Sequence, residues 1–228
     1  MFDNIFDNLN EVFNGGDKMR PKLYLAGPEV FLPNAVENAE IQRQLCRKYG
    51  FTPLHPMDNN SGIDFNGGMD TAMKIYRGDI QQIQQCHFVV ANCNSFRGVC
   101  MDDGTAYELG YGNALGKPSY GYIRDLRGLV ERTLAGYQCK PFEGGVYVDR
   151  DGYIVVDDFG TSINLMMQCG MMFGGGVLVE GDFEACLKVM RADIDSGRFI
   201  CKVNGQDISF VLKPDPDLPK VVLPEFTF

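Results

Sequence analysis

Residues 101–118, MDDGTAYELGYGNALGKP, form the stretch on which the fold reading turns. They follow the apolar run Phe88 to Ala91, which reads as a buried strand. They open a short helix that closes near Gly116, with Pro118 as a stop signal. Asp102, Asp103 and Glu108 are thereby placed at a strand-to-helix junction. In open parallel sheets that edge is where ligands bind. Glycines at 104, 110 and 112 leave the helix start and one face bare for close approach to the backbone. A carboxylate near a helix N-terminus is also favoured in its charged form, by about 0.3–1 kcal/mol when exposed. A second reading stays open, because Thr105-x-x-Glu108 also spells a capping box, an ordinary helix start.

Composition narrows the function classes. The chain has 228 residues, 45% of them hydrophobic, enough for a packed core. A net charge of -9 with no basic cluster speaks against nucleic acid or an anionic membrane as partner. The eight cysteines, at 46, 86, 93, 100, 139, 169, 186 and 201, form no CxxC pair, and His55 and His87 are the two histidines. No metal or cofactor signature follows, and the cysteines read as core hydrophobes of a reducing, cytoplasmic setting. Residues 1–18 carry acids rather than the basic start of a signal peptide. Their apolar residues fall at helical spacing, so they are expected to form an amphipathic helix appended to a domain over 19–197.

Short apolar runs alternate with helical stretches along that domain. Strands are expected at Lys22–Ala26, Phe51–Leu54, Phe88–Ala91, Ser119–Ile123 and Val177–Val179. Helices are expected from Asn34 to Tyr49, Met69 to Gln85, Ile163 to Met172 and Phe183 to Ile194. In the second of these, Met73, Tyr76, Ile80 and Ile83 share a face, and Asp79 lies beside it. An isolated acid there reads first as a solvated helix position. The polar loop 58–68 is long enough to suspect function. Between 124 and 160 the pattern breaks, with one hairpin pairing Val146–Val148 with Tyr153–Val156. A second hairpin spans 199–212, and 198–228 reads as a C-terminal extension. These βαβ units predict an α/β fold with a five-stranded parallel sheet, an inserted hairpin and that extension.

The block Lys22 to Phe31 (KLYLAGPEVF), Asp79, the stretch from Asp102 to Gly116 and Ser162 to Met166 (SINLM) occur in this order. In that combination the chain resembles nucleoside 2-deoxyribosyltransferases over residues 22–190. The resemblance implies a flavodoxin-like, doubly wound sheet and transfer of a 2-deoxyribosyl group between bases. Glu108 would be the nucleophile, Asp79 the acid and base at the nucleobase, and Tyr24 the group orienting the nucleophile. Asp102 would bind the deoxyribose hydroxyls, and Asn164 would reach the sugar end of a neighbouring subunit's site, implying a homo-oligomer. Gly27 would admit the ligand to the backbone, and Glu29 and Phe31 would line the base pocket, with Phe31 equally readable as core. The implied partners are a deoxynucleoside and a free nucleobase, with no cofactor.

The resemblance extends to N-glycosidases of 2'-deoxynucleoside 5'-phosphates, which hydrolyse instead of transferring. An ionised Asp102 about 4 Å from a dianionic phosphate would be repelled by several kcal/mol at an effective ε of about 20, which favours an unphosphorylated substrate. A non-catalytic flavodoxin-like nucleotide-binding module is the remaining reading, since carboxylate-rich junctions also serve such domains.

Overall fold

The computed structural model describes residues 20–59, 66–156, 158–204 and 207–213. The helix expected within 1–18, most of the loop 58–68, the turn at 205–206 and the tail from 214 lie outside these residues. Strands β1 (Lys22–Ala26), β2 (Thr52–Leu54), β3 (Phe88–Asn92), β4 (Ser119–Ile123) and β8 (Leu178–Glu180) form one parallel sheet in the order β2-β1-β3-β4-β8. That is the flavodoxin-like order, and chain direction across the sheet reverses between β1 and β3. The crevice beyond the carboxyl ends of those two strands is therefore where a ligand site is expected.

Both faces of the sheet are buried, as parallel strands require. Alternation along β1, β3 and β4 sends Leu23, Leu25, Phe88, Val90, Tyr120 and Tyr122 to one core. Tyr24, Ala26, Val89, Ala91 and Ile123 go to the other. The first core is covered by α1 (Ala35–Lys48) and α6 (Phe183–Asp195), and the second by α2 (Gly68–Gln85), α3 (Asp103–Ala114) and α5 (Leu165–Phe173). The hairpin of β9 (Phe199–Asn204) and β10 (Asp207–Leu212) joins the first core, because Phe199 and Phe210 pack against Phe88 at ring distances of 5.4 and 4.9 Å. Pro53 pairs with Leu23 from the outer strand β2, at an edge where a missing N–H is tolerated. Among the described residues no helix is long and apolar enough to cross a membrane.

The region 124–160 is more regular than its sequence suggests. It contains a helix, α4 (Leu129–Gly136), bracketed by Gly128 and Gly136, with Leu129 and Arg132 buried. It also adds a strand, β5 (Cys139–Pro141), to the expected hairpin of β6 (Tyr147–Asp149) and β7 (Ile154–Val155). Eight residues with glycine at the end and an arginine facing inward carry too weak a period to stand out. The helix expected from Ile163 starts at Leu165, because the Asn164 side chain accepts the Met166 N–H and acts as the cap. On α2, Met73 and Tyr76 face solvent. The inward side carries Ile75, Asp79, Gln82 and Ile83 instead.

Gly112 shows how tightly α3 lies on the sheet. A Cβ there would sit 2.7 Å from Val89 Cγ2, whereas one at Gly110 would meet nothing within 4 Å. The bare face at 112 thus serves helix packing and not ligand approach. Gly112→Ala is expected to lower stability by about 1–2 kcal/mol, overpacking outweighing the gain in helix propensity. Gly110→Ala, with only the propensity term, is expected to raise it by up to about 1 kcal/mol. Urea unfolding of the two variants checks both signs.

Candidate active site

Tyr24 occupies the middle of β1, fully buried, on the face covered by α2 and α3. Its hydroxyl donates to Glu108 Oε1 at 2.6 Å. Glu108 is free to accept because α3 is capped by another residue. Asp102 is the N-cap, its Oδ2 accepting both the Thr105 N–H and the Thr105 hydroxyl at 2.8 Å. Thr105 is then the third helical residue and cannot act as the cap of a box. The alternative reading of Glu108 as a capping residue is overturned by this one-turn shift. Asp103 bonds the N–H of Gly104 and stays on the surface, outside the site.

Glu108, Asp79 and Asp102 open onto one cavity of about 540 Å³ beyond the carboxyl ends of β1 and β3. Its apolar wall comprises Val30, Phe31, Pro56, Met57 and Ile75. Phe31 is 62% exposed at this rim and stacks on Phe96 with centroids 5.7 Å apart, so it is not part of either core. Asp79 is not a solvated helix position. Its Oδ1 is buried without a hydrogen-bond partner, and Ile75, one turn before it, lines the same cavity. The Ile75/Asp79 spacing was a usable signal in the sequence, whereas Met57 and Val30 carried none, because they come from short turns after β2 and β1.

Among the described residues, every ionisable side chain that lines the cavity is an acid and none is cationic. Burial is the largest influence on Glu108, raising its carboxyl to about 8. The Tyr24 hydrogen bond works against that shift, and the charges of Asp79 and Asp102 add to it. Glu108 is the sixth residue of α3, beyond the first turn where a helix N-terminus favours an anion. The ionisation aid expected from the helix start therefore does not reach it. Asp79 is raised to about 6, again by burial, with the Asn59 amide opposing. Burial and the neighbouring Glu108 push the Tyr24 phenol far upward, which keeps it a donor.

Three expected site residues depart from the roles expected of them, two by lying off this cavity. Glu29 turns the other way: its Oε1 accepts from Asn92 Nδ2 at 2.7 Å and from the Tyr122 hydroxyl at 2.5 Å. It lines a separate cavity of about 380 Å³ beside α1. Gly27 touches the larger cavity, but the space its side chain would fill is taken by Glu29, whose Oε2 lies 2.0 Å from a Cβ built there. Its bareness accommodates a carboxylate of the chain itself. Asn164 is exposed at the start of α5 and does not line the cavity of its own chain. Among the described residues no group of three or more His, Cys, Asp or Glu is placed to hold a metal ion.

A family described as nucleoside 2-deoxyribosyltransferase matches residues 23–166. An uncharacterized protein of Schizosaccharomyces pombe is 31% identical over 193 residues, 77% of this chain and 91% of its own length. A solved 2-desoxiribosyltransferase from Leishmania mexicana superposes with a TM-score of 0.55 at 29% identity, covering 75% of this chain and 97% of that one.

The raised Glu108 carboxyl has a consequence for stability. A buried acid whose folded pKa exceeds its unfolded value leaves the fold fully stable below about 4.5 and costs stability as pH rises towards about 8. Glu108→Gln keeps an acceptor for Tyr24 and removes the ionisation. Its melting temperature is expected to match the wild type at pH 5 and to exceed it by a few degrees at pH 8.5, measured by circular dichroism.

Proposed function

Because the chain belongs to the nucleoside 2-deoxyribosyltransferase family, and so to enzymes that transfer or hydrolyse glycosyl groups, we propose that it moves the 2-deoxyribosyl group of a 2'-deoxynucleoside to a free nucleobase through an ester on Glu108. The observation that carries this reading is the Tyr24–Glu108 pair facing a cavity on whose wall Asp79 also lies. With Oε1 held by Tyr24, the other carboxylate oxygen attacks the anomeric carbon. The C1'–N bond breaks, its electron pair goes to the base nitrogen, and Asp79 supplies the proton. The incoming base attacks the same carbon, Glu108 leaves as carboxylate, and the proton of the new base passes to Asp79. The logic is that of a retaining glycosidase with a base in place of water.

The surroundings suit a neutral substrate that develops positive charge. Among the described residues, acids alone of the ionisable groups line the cavity, so a sugar approaching an oxocarbenium ion is stabilised and a 5'-phosphate is repelled. Asp102 spends Oδ2 on its cap, leaving Oδ1 for a deoxyribose hydroxyl. Asn164 likewise spends its oxygen on its own helix, leaving the amide nitrogen for the site of a second subunit. Phe31 and Ile75 offer apolar surface to the base.

A matrix of deoxynucleoside donors and free-base acceptors, read by chromatography, tests the reading. A new nucleoside is expected, and release of only sugar and base would mean hydrolysis. Glu108→Ala is expected to lower turnover by at least about 10³-fold. Acid quenching of the wild type with donor alone is expected to trap a deoxyribosyl adduct on residue 108 by intact mass. The pH profile of kcat/KM should be bell-shaped, with limbs near 6 and 8. Below the first limb both carboxyls are protonated; between the limbs the pair holds one proton, and the reactive form, with Glu108 ionised and Asp79 protonated, is its minor arrangement because burial raises Glu108 further. Above the second both are ionised and no acid remains.

A further inference from the structure

Arg132 lies on the inward side of α4 and is 8% exposed. A guanidinium this deep is costly unless its donors are satisfied, and among the described residues no carboxylate pairs with it. Instead it bonds to two separate segments. Nη1 donates to the Ser95 hydroxyl at 3.1 Å and to the Val99 carbonyl at 3.4 Å. Nη2 donates to the Ser162 carbonyl. Nε is buried without a partner. Ser162 is also fastened by its hydroxyl to the Leu126 carbonyl, and the Leu129 N–H bonds the Thr161 carbonyl beside it.

The two segments share one property. Val99 lies three residues before Asp102, and Ser162 lies two before Asn164. We propose that Arg132 is a positioning residue for the sugar ends of two sites, tying the segment that presents Asp102 to the cavity of its own chain to the segment that offers Asn164 to a second subunit's cavity. The inference rests on the sugar-binding roles given to those two residues above. Arg132 touches neither side chain and reaches no part of the cavity. It acts through the backbone, as a planar fork long enough to hold both strips of chain at once. A lysine ammonium carries its donors on one atom and cannot reproduce the spacing between Nη1 and Nη2.

A double-mutant cycle separates this role from plain structural support. Arg132→Lys alone is expected to lower kcat/KM for the deoxynucleoside about tenfold, as a small displacement of a substrate-holding group does. In a combined Asn164→Ala and Asp102→Asn background, the same change is expected to cost less than about twofold, because both contacts it positions are then removed or weakened. An equal, tenfold loss of kcat/KM in that background would overturn the proposal. Failure of Arg132→Lys to give a cooperative melt would also overturn it, in favour of a purely structural clamp. If Asn164→Ala and Asp102→Asn each keep wild-type kcat/KM, the sugar-end assignment itself fails, and the cycle fails with it. Ser95→Ala, which removes one acceptor and no charge, should give a smaller loss with the same dependence on background.

Discussion

One phenolic hydroxyl holds one carboxyl group in the interior, and much of the architecture exists to allow it. A buried carboxyl left without a donor is expensive, and a hydrogen bond to a charged group contributes about 1.5–3 kcal/mol. Tyr24 can serve because it lies in the centre of β1, with its ring inside the core and its oxygen aimed at α3. Glu108 can receive it because Asp102 takes over the capping of that helix. In the proposed reaction, the same burial that makes the pair hard to maintain is what would leave the carboxylate poorly solvated and reactive towards an electron-poor carbon.

The turn after β1 divides two acidic environments. On one side Glu29 accepts hydrogen bonds from Asn92 and Tyr122, which fix the Pro28–Phe31 turn against the ends of β3 and β4. On the other side Glu108 is held by Tyr24 and Asp102 by Thr105, and Asp79 alone of the three acids on the cavity has a buried oxygen without a partner. Glu29 braces the wall that carries Phe31, and in the proposed reaction the other three acids serve the substrate. Gly27 separates the two, because any side chain there would collide with the bracing carboxylate.

Most of the sheet was legible in the sequence because its strands are short apolar runs set between well-formed helices. Even the β8 position was displaced by a single residue, since Val177, Leu178 and Val179 are equally apolar. The cluster of Tyr24, Asp79, Asp102 and Glu108 came from motif resemblance, not from periodicity. Geometry then distinguished Glu108 as a hydrogen-bonded carboxyl from Glu108 as a cap, which spacing alone could not do. Glu29 was misplaced because adjacent residues in a 3₁₀ turn diverge in direction, and no local pattern tells which of Glu29 and Phe31 faces which side. Arg132 was missed because a buried arginine inside a short, glycine-bounded helix looks like surface.

The outer strand β2 has a bearing on assembly. Pro53 offers no amide hydrogen to a newcomer, and only three residues of that strand run alongside β1. The opposite margin, β8, is equally brief. Lateral growth of the sheet by strand addition is thus blunted at both ends. By contrast α5, with Met166 and Phe173 turned outward and Asn164 at its head, is the flank that the proposed assembly would use.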